Sequence, residues 1–377
     1  MGGEPKILQL CLSDGLGGLE LYVFRTVQQL LKRAHHCVTV VRADTMLSSR
    51  MDECNADYYV LTKLSKLFPF IAARRLARII DQEQVDIVHM HWAKDLNLAV
   101  LAKQFAKRPI KLIYTRQMMI TRSKHDLFHR WLYRHVDRIL TITDELRELM
   151  VKFLPMPAEN IERLYYGVDA PPEMSTEQRT YLRKKYGFSE DDFVIFMVGR
   201  IEECKGQHLL IEAMERLHQQ GIVVCALFVG PAMDDGYLQG LKDRVQNSAL
   251  AGTVKFAGPH KSPSHMAASF EVALLATECE TFGLVLIEAM RAGIPVIGTA
   301  ACGVLEIIDE AQNGLLFPPN DSQALAGAIR RLYEDPGLRQ RLAKAGADKA
   351  DEMFATEHHY DELEVVYNRL ISNSPHN

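Results

Sequence analysis

Short apolar runs recur along this chain between longer polar stretches, and the runs are of strand length. KILQLCL (Lys6 to Leu12), CVTVVRA (Cys37 to Ala43), DIVHMHW (Asp86 to Trp92), KLIYTRQMM (Lys111 to Met119) and DRILTIT (Asp137 to Thr143) read as buried strands of a parallel sheet. Segments with helical spacing alternate with them: about Glu20 to Arg33, Phe70 to Gln82, Leu96 to Phe105, an amphipathic stretch Lys124 to Arg138, and one capped by Asp144 that runs through Phe153. NIERLYYGVD (Asn160 to Asp169) closes this alternation, and residues 170–190, proline-bearing and then charged, form a linker with a short helix. A second alternation begins at FVIFMVG (Phe193 to Gly199). It continues through a helix Gln207 to Gln220, VVCALFVG, a helix Tyr237 to Ala249, VKFAG, VALLAT, PVIGTA and GLLFPP, and ends in a helical tail from Leu338 to Ile371. Strands that alternate with helices build parallel, doubly wound sheets. The prediction is an α/β chain with two Rossmann-like domains facing across a cleft, at 1–170 and 191–350, joined by a linker at 171–190.

The chemistry concentrates between Glu278 and Gly303, ECETFGLVLIEAMRAGIPVIGTAACG. Thr281 is the expected N-cap of a helix that Gly293 and Pro295 stop. Nearly every side chain of this helix is apolar, so it should be buried nearly all round, yet it carries Glu288. Glu280 stands just before the helix and Glu288 two turns in. Backbone N–H groups around Phe282, Gly283 and Leu284 would face the same space, where a helix N-terminus attracts phosphate. Two acceptor carboxylates beside an anion cradle suit a sugar joined to a phosphate. The plainer alternative has Glu280 complementing the helix dipole and Glu288 pairing with Arg291.

A second site lies in GRIEECKG, Gly199 to Gly206. Arg200 follows a strand and Lys205 precedes a helix, so both cations can converge on an anion at the sheet's C-terminal edge. A departing diphosphate carries about two negative charges, and offsetting them is the largest help a site can give. The alternative is a solvated loop with Glu202 and Glu203 as partners. In the first half, DGLGGLE follows the first strand. Its spacing is neither G-x-G-x-x-G nor a Walker loop, which leaves a backbone approach to an anion or sugar, or a plain tight turn. His89 and His91 alternate to one face, His91 nearer the strand's C-terminal end, and no third ligand for a metal stands at a suitable spacing.

These motifs resemble the retaining family-4 glycosyltransferases of the GT-B fold. The E-x7-E signature, with an FGLVLIEAM-like helix and G-x-PVI, stands from Glu280 to Ile297. Arg200 and Lys205 match the G-R-x4-K-G diphosphate clamp, Gly17, Gly18 and Glu20 match a G-G-x-E loop, and Cys302, Gly303 and Glu306 match G-G-x-x-E with its first glycine replaced. The resemblance implies transfer of a sugar from a nucleotide-diphosphate sugar to a hydroxyl acceptor with retention. Arg200 and Lys205 would neutralise the diphosphate, Glu280 and Glu306 would orient the sugar and its phosphates, and Glu288 would hold the ribose. Phe282, Gly283, Leu284, Gly303, Gly17 and Gly18 would complete the donor site. Where the family often carries a histidine near the donor sugar this chain reads Thr115, Arg116, Gln117, so His91, Arg116 or Gln117 would contact sugar or acceptor. Tyr166 replaces the asparagine of the family's N-G-V-D turn. The resemblance further implies that the segment 351–377 returns to the first domain, and that acceptors are glycans or glycolipids of cell-envelope polysaccharide or lipopolysaccharide synthesis. The rival readings are a nucleotide-sugar-binding protein with impaired catalysis and a sugar-nucleotide epimerase.

Composition narrows the setting. Apolar residues are 47% and charged residues 24%, as in globular proteins, and no apolar run approaches membrane-spanning length. The start lacks the marks of a signal peptide and of a myristoylation site. Residues 1–170 carry 25 Lys and Arg against 19 Asp and Glu, and the remainder 19 against 29. Ten of those basic residues lie between Lys103 and Arg138, which fits a solvated helix face, an anionic membrane surface or an anionic acceptor. A cytoplasmic protein, peripheral at the inner face of the membrane and without a nucleic-acid partner, is expected. Seven scattered cysteines, never spaced C-x-x-C, read as free thiols in a reducing cytosol with no zinc site. With no D-x-D pair to hold Mg²⁺, no metal or other cofactor is expected.

Overall fold

A computed structural model of the chain describes residues 4–15, 17–61 and 69–372. Leu16, inside the glycine-rich turn, and 373–377, the end of the segment expected to return, lie outside the described residues. Two compact units are present: residues 1–165 with 359–377, and residues 166–358.

The first unit is built on seven strands: β1 (Ile7–Cys11), β2 (Cys37–Arg42), β3 (Tyr58–Leu61), β4 (Ile87–Met90), β5 (Lys111–Arg116), β6 (Arg138–Thr141) and β7 (Ile161–Arg163). They lie in the order β3-β2-β1-β4-β5-β6-β7, with every adjacent pair parallel. The strand order reverses between β1 and β4, so the glycine-rich loop and the residues after Met90 leave the sheet side by side. The second unit repeats the plan with β8 (Val194–Val198), β9 (Cys225–Val229), β10 (Val254–Phe256), β11 (Val272–Leu275), β12 (Val296–Thr299) and β13 (Leu315–Phe317), ordered β10-β9-β8-β11-β12-β13. Its reversal falls between β8 and β11. Each unit has its own apolar core: Ile7, Val23, Ile87 and Ile113 in the first, and Ile195, Leu210, Leu274 and Ile297 in the second.

Several boundaries differ from the sequence reading. The helix predicted from Lys124 to Arg138 spans only Leu127–Arg134, because the Asp126 carboxylate caps it by accepting from His129 N–H, 3.1 Å away. The helix Asp144–Phe153 is capped by Thr143, whose hydroxyl accepts from Leu146 N–H, so Asp144 is its first residue and not its cap. A helix Met46–Glu53 and strand β3 complete the first unit; neither has a strong enough apolar period to stand out in sequence. The tail is two helices, Pro336–Met353 and Thr356–Ser372, broken at Phe354. From the second of these, Tyr360, Leu363, Val366, Tyr367 and Leu370 are buried in the first unit's core.

The helix Thr176–Lys185 is fastened to the second unit by Arg183, which is fully buried. Its guanidinium donates to the carbonyls of Ser189, Ser269 and Asp192 and pairs with Glu271 at 3.0 Å; the Glu271 carboxylate also accepts from Val194 N–H at the start of β8. A buried cation with every donor placed tolerates no half-removal, since the carboxylate left behind stays desolvated. Arg183→Met is therefore expected to lower the unfolding free energy of the second unit by about 3 kcal/mol, read from urea denaturation. A loss below about 1 kcal/mol would show the network to be dispensable.

Candidate active site

Three loops leave adjacent strands of the second unit at the same edge of the sheet. Residues 199–206 follow β8, 276–283 follow β11 and 300–303 follow β12. Arg200, Cys204, Lys205, Thr277, Glu278, Cys279, Glu280 and Pro319 line a pocket of about 560 Å³ there. The Lys205 ammonium lies 2.8 Å from Glu280 Oε2, and Arg200 lies 2.8 Å from Glu202 Oε1 with about half its side chain exposed. Of the partners the solvated-loop alternative expects, Glu202 holds Arg200, while Lys205 turns to Glu280 and not to Glu203. Gly206 makes the turn possible. It is left-handed (φ 76°), and a Cβ there would stand 2.4 Å from the Ala276 carbonyl oxygen, so the cation-bearing loop lies directly on the end of β11. Thr277, which lines the pocket, carries a buried hydroxyl with no hydrogen-bond partner among the described residues. Sequence reading overlooked Thr277, since a threonine ending an apolar run gives no signal of its own.

The helix that follows begins at Leu284 and ends at Arg291, and its N-cap is Gly283 in the left-handed region (φ 90°), not Thr281. A side-chain cap is impossible from glycine, and Gly283 turns the chain where a Cβ would press on Ile307 and Leu275 at 3.3 Å. Leu286, Ile287, Ala289 and Met290 are buried, whereas Leu284, Val285, Glu288 and Arg291 are half-buried, so the helix has a wetter face than its composition implies and Glu288 stands on it. Arg291 reaches Asp351 at 3.0 Å and the Val168 carbonyl. Phe282 is a core residue, edge-on to Tyr166 and to Phe354. Tyr166, where a turn asparagine was expected, therefore buttresses the start of this helix.

Gly303 donates its N–H to the Glu280 carbonyl at 3.0 Å, and a Cβ on it would lie 2.2 Å from the Thr281 oxygen. Glu306 follows in the short helix Val304–Ile307. One sequence expectation is overturned beside it: Cys279 and Cys302 form a disulfide, leaving Cys11, Cys37, Cys54, Cys204 and Cys225 as free thiols among the described residues. They are 23 residues apart in sequence, but each lies just past the end of one of two neighbouring parallel strands, and their Cα atoms are 5.5 Å apart.

The remaining candidates lie in the first unit. Gly17 and Gly18 open the helix Gly18–Lys32 and are exposed, with Gly17 N–H donating to the buried Glu20 carboxylate at 2.7 Å. His91 is buried, its Nε2–H donating to Gln9 Oε1 at 2.7 Å, and its Nδ1 has no hydrogen-bond partner among the described residues. His89 beside it is hydrogen-bonded to the Tyr367 hydroxyl through Nδ1 and to Thr115 Oγ1 through Nε2. Arg116 is spent on the loop after β5, donating to the Met118 and Met119 carbonyls and to the Tyr114 hydroxyl. Gln117 is buried, its amide nitrogen without a hydrogen-bond partner among the described residues. Arg116 is thus consumed by its own loop, while His91 Nδ1 and the Gln117 amide nitrogen are the buried groups of these candidates that keep hydrogen-bonding capacity unspent among the described residues.

Two family models divide the chain between them: glycosyl transferases group 1 matches residues 178–349, and glycosyltransferase family 4 matches residues 16–170. The chain belongs to the family-4 glycosyltransferases. The alpha-D-kanosaminyltransferase of Streptomyces kanamyceticus is 30% identical to this glycosyltransferase over 258 residues, which is 65% of this chain and 64% of that one. A lipopolysaccharide core biosynthesis mannosyltransferase of Rhizobium meliloti, LpsB, is 23% identical over 282 residues, 72% of this chain and 76% of its own. Among solved structures, Anabaena HepE in complex with UDP superposes with a TM-score of 0.82, covering 97% of this chain and 100% of its own at 22% identity. That likeness confirms the two-domain GT-B fold.

Burial has one measurable effect in the first unit. Asp95 is buried where the chain leaves β4. Its Oδ2 accepts from Leu12 N–H at 2.9 Å, and its Oδ1 has no partner among the described residues. Desolvation pushes its carboxyl up to about 7, the bond from Leu12 opposing. Such a group binds its proton more tightly folded than unfolded, so it adds stability as pH falls through 7 towards the ordinary carboxylate range. His91, pulled down to about 3 by burial, and His89, lowered first by burial and then by His91, work the other way below the ordinary histidine range near 6.5. Comparing the glycosyltransferase with Asp95→Asn cancels the histidines. The stability of wild type relative to the variant should rise by about 1 kcal/mol per pH unit between about pH 7 and pH 5. A difference that stays flat over that range in urea titrations would show that Asp95 does not titrate there.

Proposed function

We propose that this glycosyltransferase moves a sugar from a nucleoside-diphosphate sugar to a hydroxyl acceptor with retention at the anomeric carbon. The observation that carries the reading is the pocket that Arg200, the Lys205–Glu280 pair and Thr277 line together, the Thr277 hydroxyl having no hydrogen-bond partner among the described residues. Two cations and a hydroxyl donor suit a diphosphate, and Glu280 beside them suits sugar hydroxyls. In the proposed step the bond from the anomeric carbon to the phosphate oxygen breaks and the acceptor oxygen bonds to that carbon on the same face. The acceptor proton passes to the departing phosphate oxygen, whose charge Arg200 and Lys205 offset, so no separate base is required. Gly303, Gly283 and Leu284 bring backbone to the donor, Glu306 orients it, and Glu288 holds its ribose. Turnover would need no metal, since the two side-chain cations take the part a divalent ion plays elsewhere.

Isothermal titration of UDP-, GDP- and ADP-linked sugars tests this site. One donor should bind, Glu288→Ala should abolish its binding, and Lys205→Ala or Arg200→Ala should each weaken it at least about tenfold, the scale of one hydrogen bond to a charged group. EDTA should leave turnover unchanged. Binding without transfer to any acceptor would favour the impaired reading that Gln117 motivates, product formation without acceptor would favour an epimerase, and no binding at all would overturn the site.

The acceptor we propose is a glycolipid or growing glycan of the cell envelope, met at an anionic membrane surface. Support comes from the helix Leu127–Arg134, where Leu127 is 84%, Phe128 53% and Trp131 36% exposed, with Arg130 and Arg134 exposed among them. Apolar side chains interleaved with arginines suit the boundary between headgroups and acyl chains. The rest of the basic stretch contributes less, because Lys103, Arg108 and Arg138 pair with Asp137, Asp86 and Glu162. Among the described residues no helix is long and apolar enough to cross a membrane. In liposome sedimentation the protein should bind vesicles containing anionic lipid, and Phe128→Ser with Trp131→Ser should release it. Equal binding to neutral vesicles would sink the electrostatic part of the proposal.

A further inference from the structure

The residue at position 302 sits in a conformation its side chain does not favour. Cys302 has φ 53°, in the left-handed region where a residue with a Cβ is disfavoured and glycine is at ease. It stands where the sequence motif would carry glycine. Cys302 can leave that conformation only if Gly303 moves with it, because the Gly303 backbone is packed against the Thr281 peptide and its N–H donates to the Glu280 carbonyl. On the facing loop Cys279 immediately precedes Glu280, the partner of Lys205. The disulfide thus joins the loop that presents Glu280 to the loop that presents Gly303 and Glu306. Cys279 is exposed and lines the pocket, so a small dithiol can reach the bond.

We infer that the Cys279–Cys302 disulfide is a positioning element of the donor site, holding by a covalent tie the left-handed turn that glycine would hold by conformational freedom, so that donor binding in this chain depends on thiol redox state. Reduction transfers two electrons and two protons from a dithiol, breaks the S–S bond, leaves two protein thiols and closes a disulfide in the reagent. Cys302 is then free to leave the left-handed region, which moves Gly303 and loosens its bond to Glu280. The inference concerns the two loops themselves, and its effect on ligands rests on the donor site proposed above.

The test uses the full chain carrying Cys204→Ser, so that no third thiol of the pocket exchanges with the pair. Thiol counting by alkylation in denaturant and mass spectrometry should find four free thiols in the oxidised protein and six after dithiothreitol, and a chain purified without the bond would overturn the inference at once. Hydrogen exchange in peptides covering 278–283 and 300–307 should quicken about tenfold on reduction, with peptides of β9 unchanged. Binding of UDP, GDP or ADP, measured on the same samples, should weaken about fivefold, the scale of one left-handed penalty. Cys279→Ser with Cys302→Ser should match the reduced protein and ignore dithiothreitol. Cys279→Ser with Cys302→Gly should recover most of the affinity and protection without any disulfide, a rescue that loss of packing alone does not predict. Equal exchange in oxidised and reduced protein, or a glycine variant no better than serine, would overturn the inference. Exchange that responds to reduction in a protein that binds none of the three nucleotides would uphold the tie and reject the donor site instead.

Discussion

The site of the second unit depends on the parallel pairing of β8, β11 and β12. Ala273 faces Phe196 on one side and Val296 on the other, so three strands run in one direction with no offset that a loop must correct. All three loops then leave the same edge, and residues that are 75 apart in sequence, Lys205 and Glu280, meet at 2.8 Å. An antiparallel neighbour would send one of these loops to the opposite edge. The strand-order reversal between β8 and β11 adds the opening, because the helices after the two strands pack on opposite faces of the sheet and leave a crevice between their starts. Charge and shape at the pocket therefore follow from backbone hydrogen bonds several residues away.

Small residues set how close the loops come. Gly206 lets the cation-bearing loop touch Ala276, and Gly303 lets the last loop touch Thr281; in each case a methyl group would overlap backbone oxygen. Position 302 is the exception, where a left-handed residue carries a side chain. Local strain of this kind persists only where surrounding structure over-determines it. Here a disulfide on one side and a clamped glycine on the other do so.

Much of this was legible in sequence because strands buried on both faces appear as short apolar runs, and because parallel sheets put their chemistry in the loops that follow. VALLAT and PVIGTA could be read as neighbours, and Arg200 and Lys205 as residues at a strand's end. What could not be read was side-chain destination. His91 resembles a contact residue by position, yet Gln9 from the adjacent β1 takes its ring N–H, and His89 is held by Tyr367 from a helix 278 residues away. Arg116 is consumed by carbonyls of its own loop. Neither fate leaves a periodicity or a spacing. The Thr281 cap failed for a related reason: a left-handed glycine immediately before the helix supplies the turn, and only tertiary packing against Ile307 and Leu275 decides that Gly283 takes that part.

The cysteines show the limit most sharply. A count that is odd and without close spacing argues for free thiols when pairs are sought along the chain, but a sheet brings together the residues that follow adjacent strands, whatever their separation. The useful period is then the length of one strand-helix unit. Cys279 and Cys302 are one such unit apart, because β11 and β12 are neighbours in the sheet and also consecutive in the chain. Read by that rule, a cysteine after each of two consecutive strands is a candidate pair even in a chain whose other thiols are buried and single. Burial supports the distinction, since it raises the pKa of the thiols of Cys11, Cys37 and Cys225 and keeps them protonated, while the bonded pair lies at the edge of the sheet where the chemistry is.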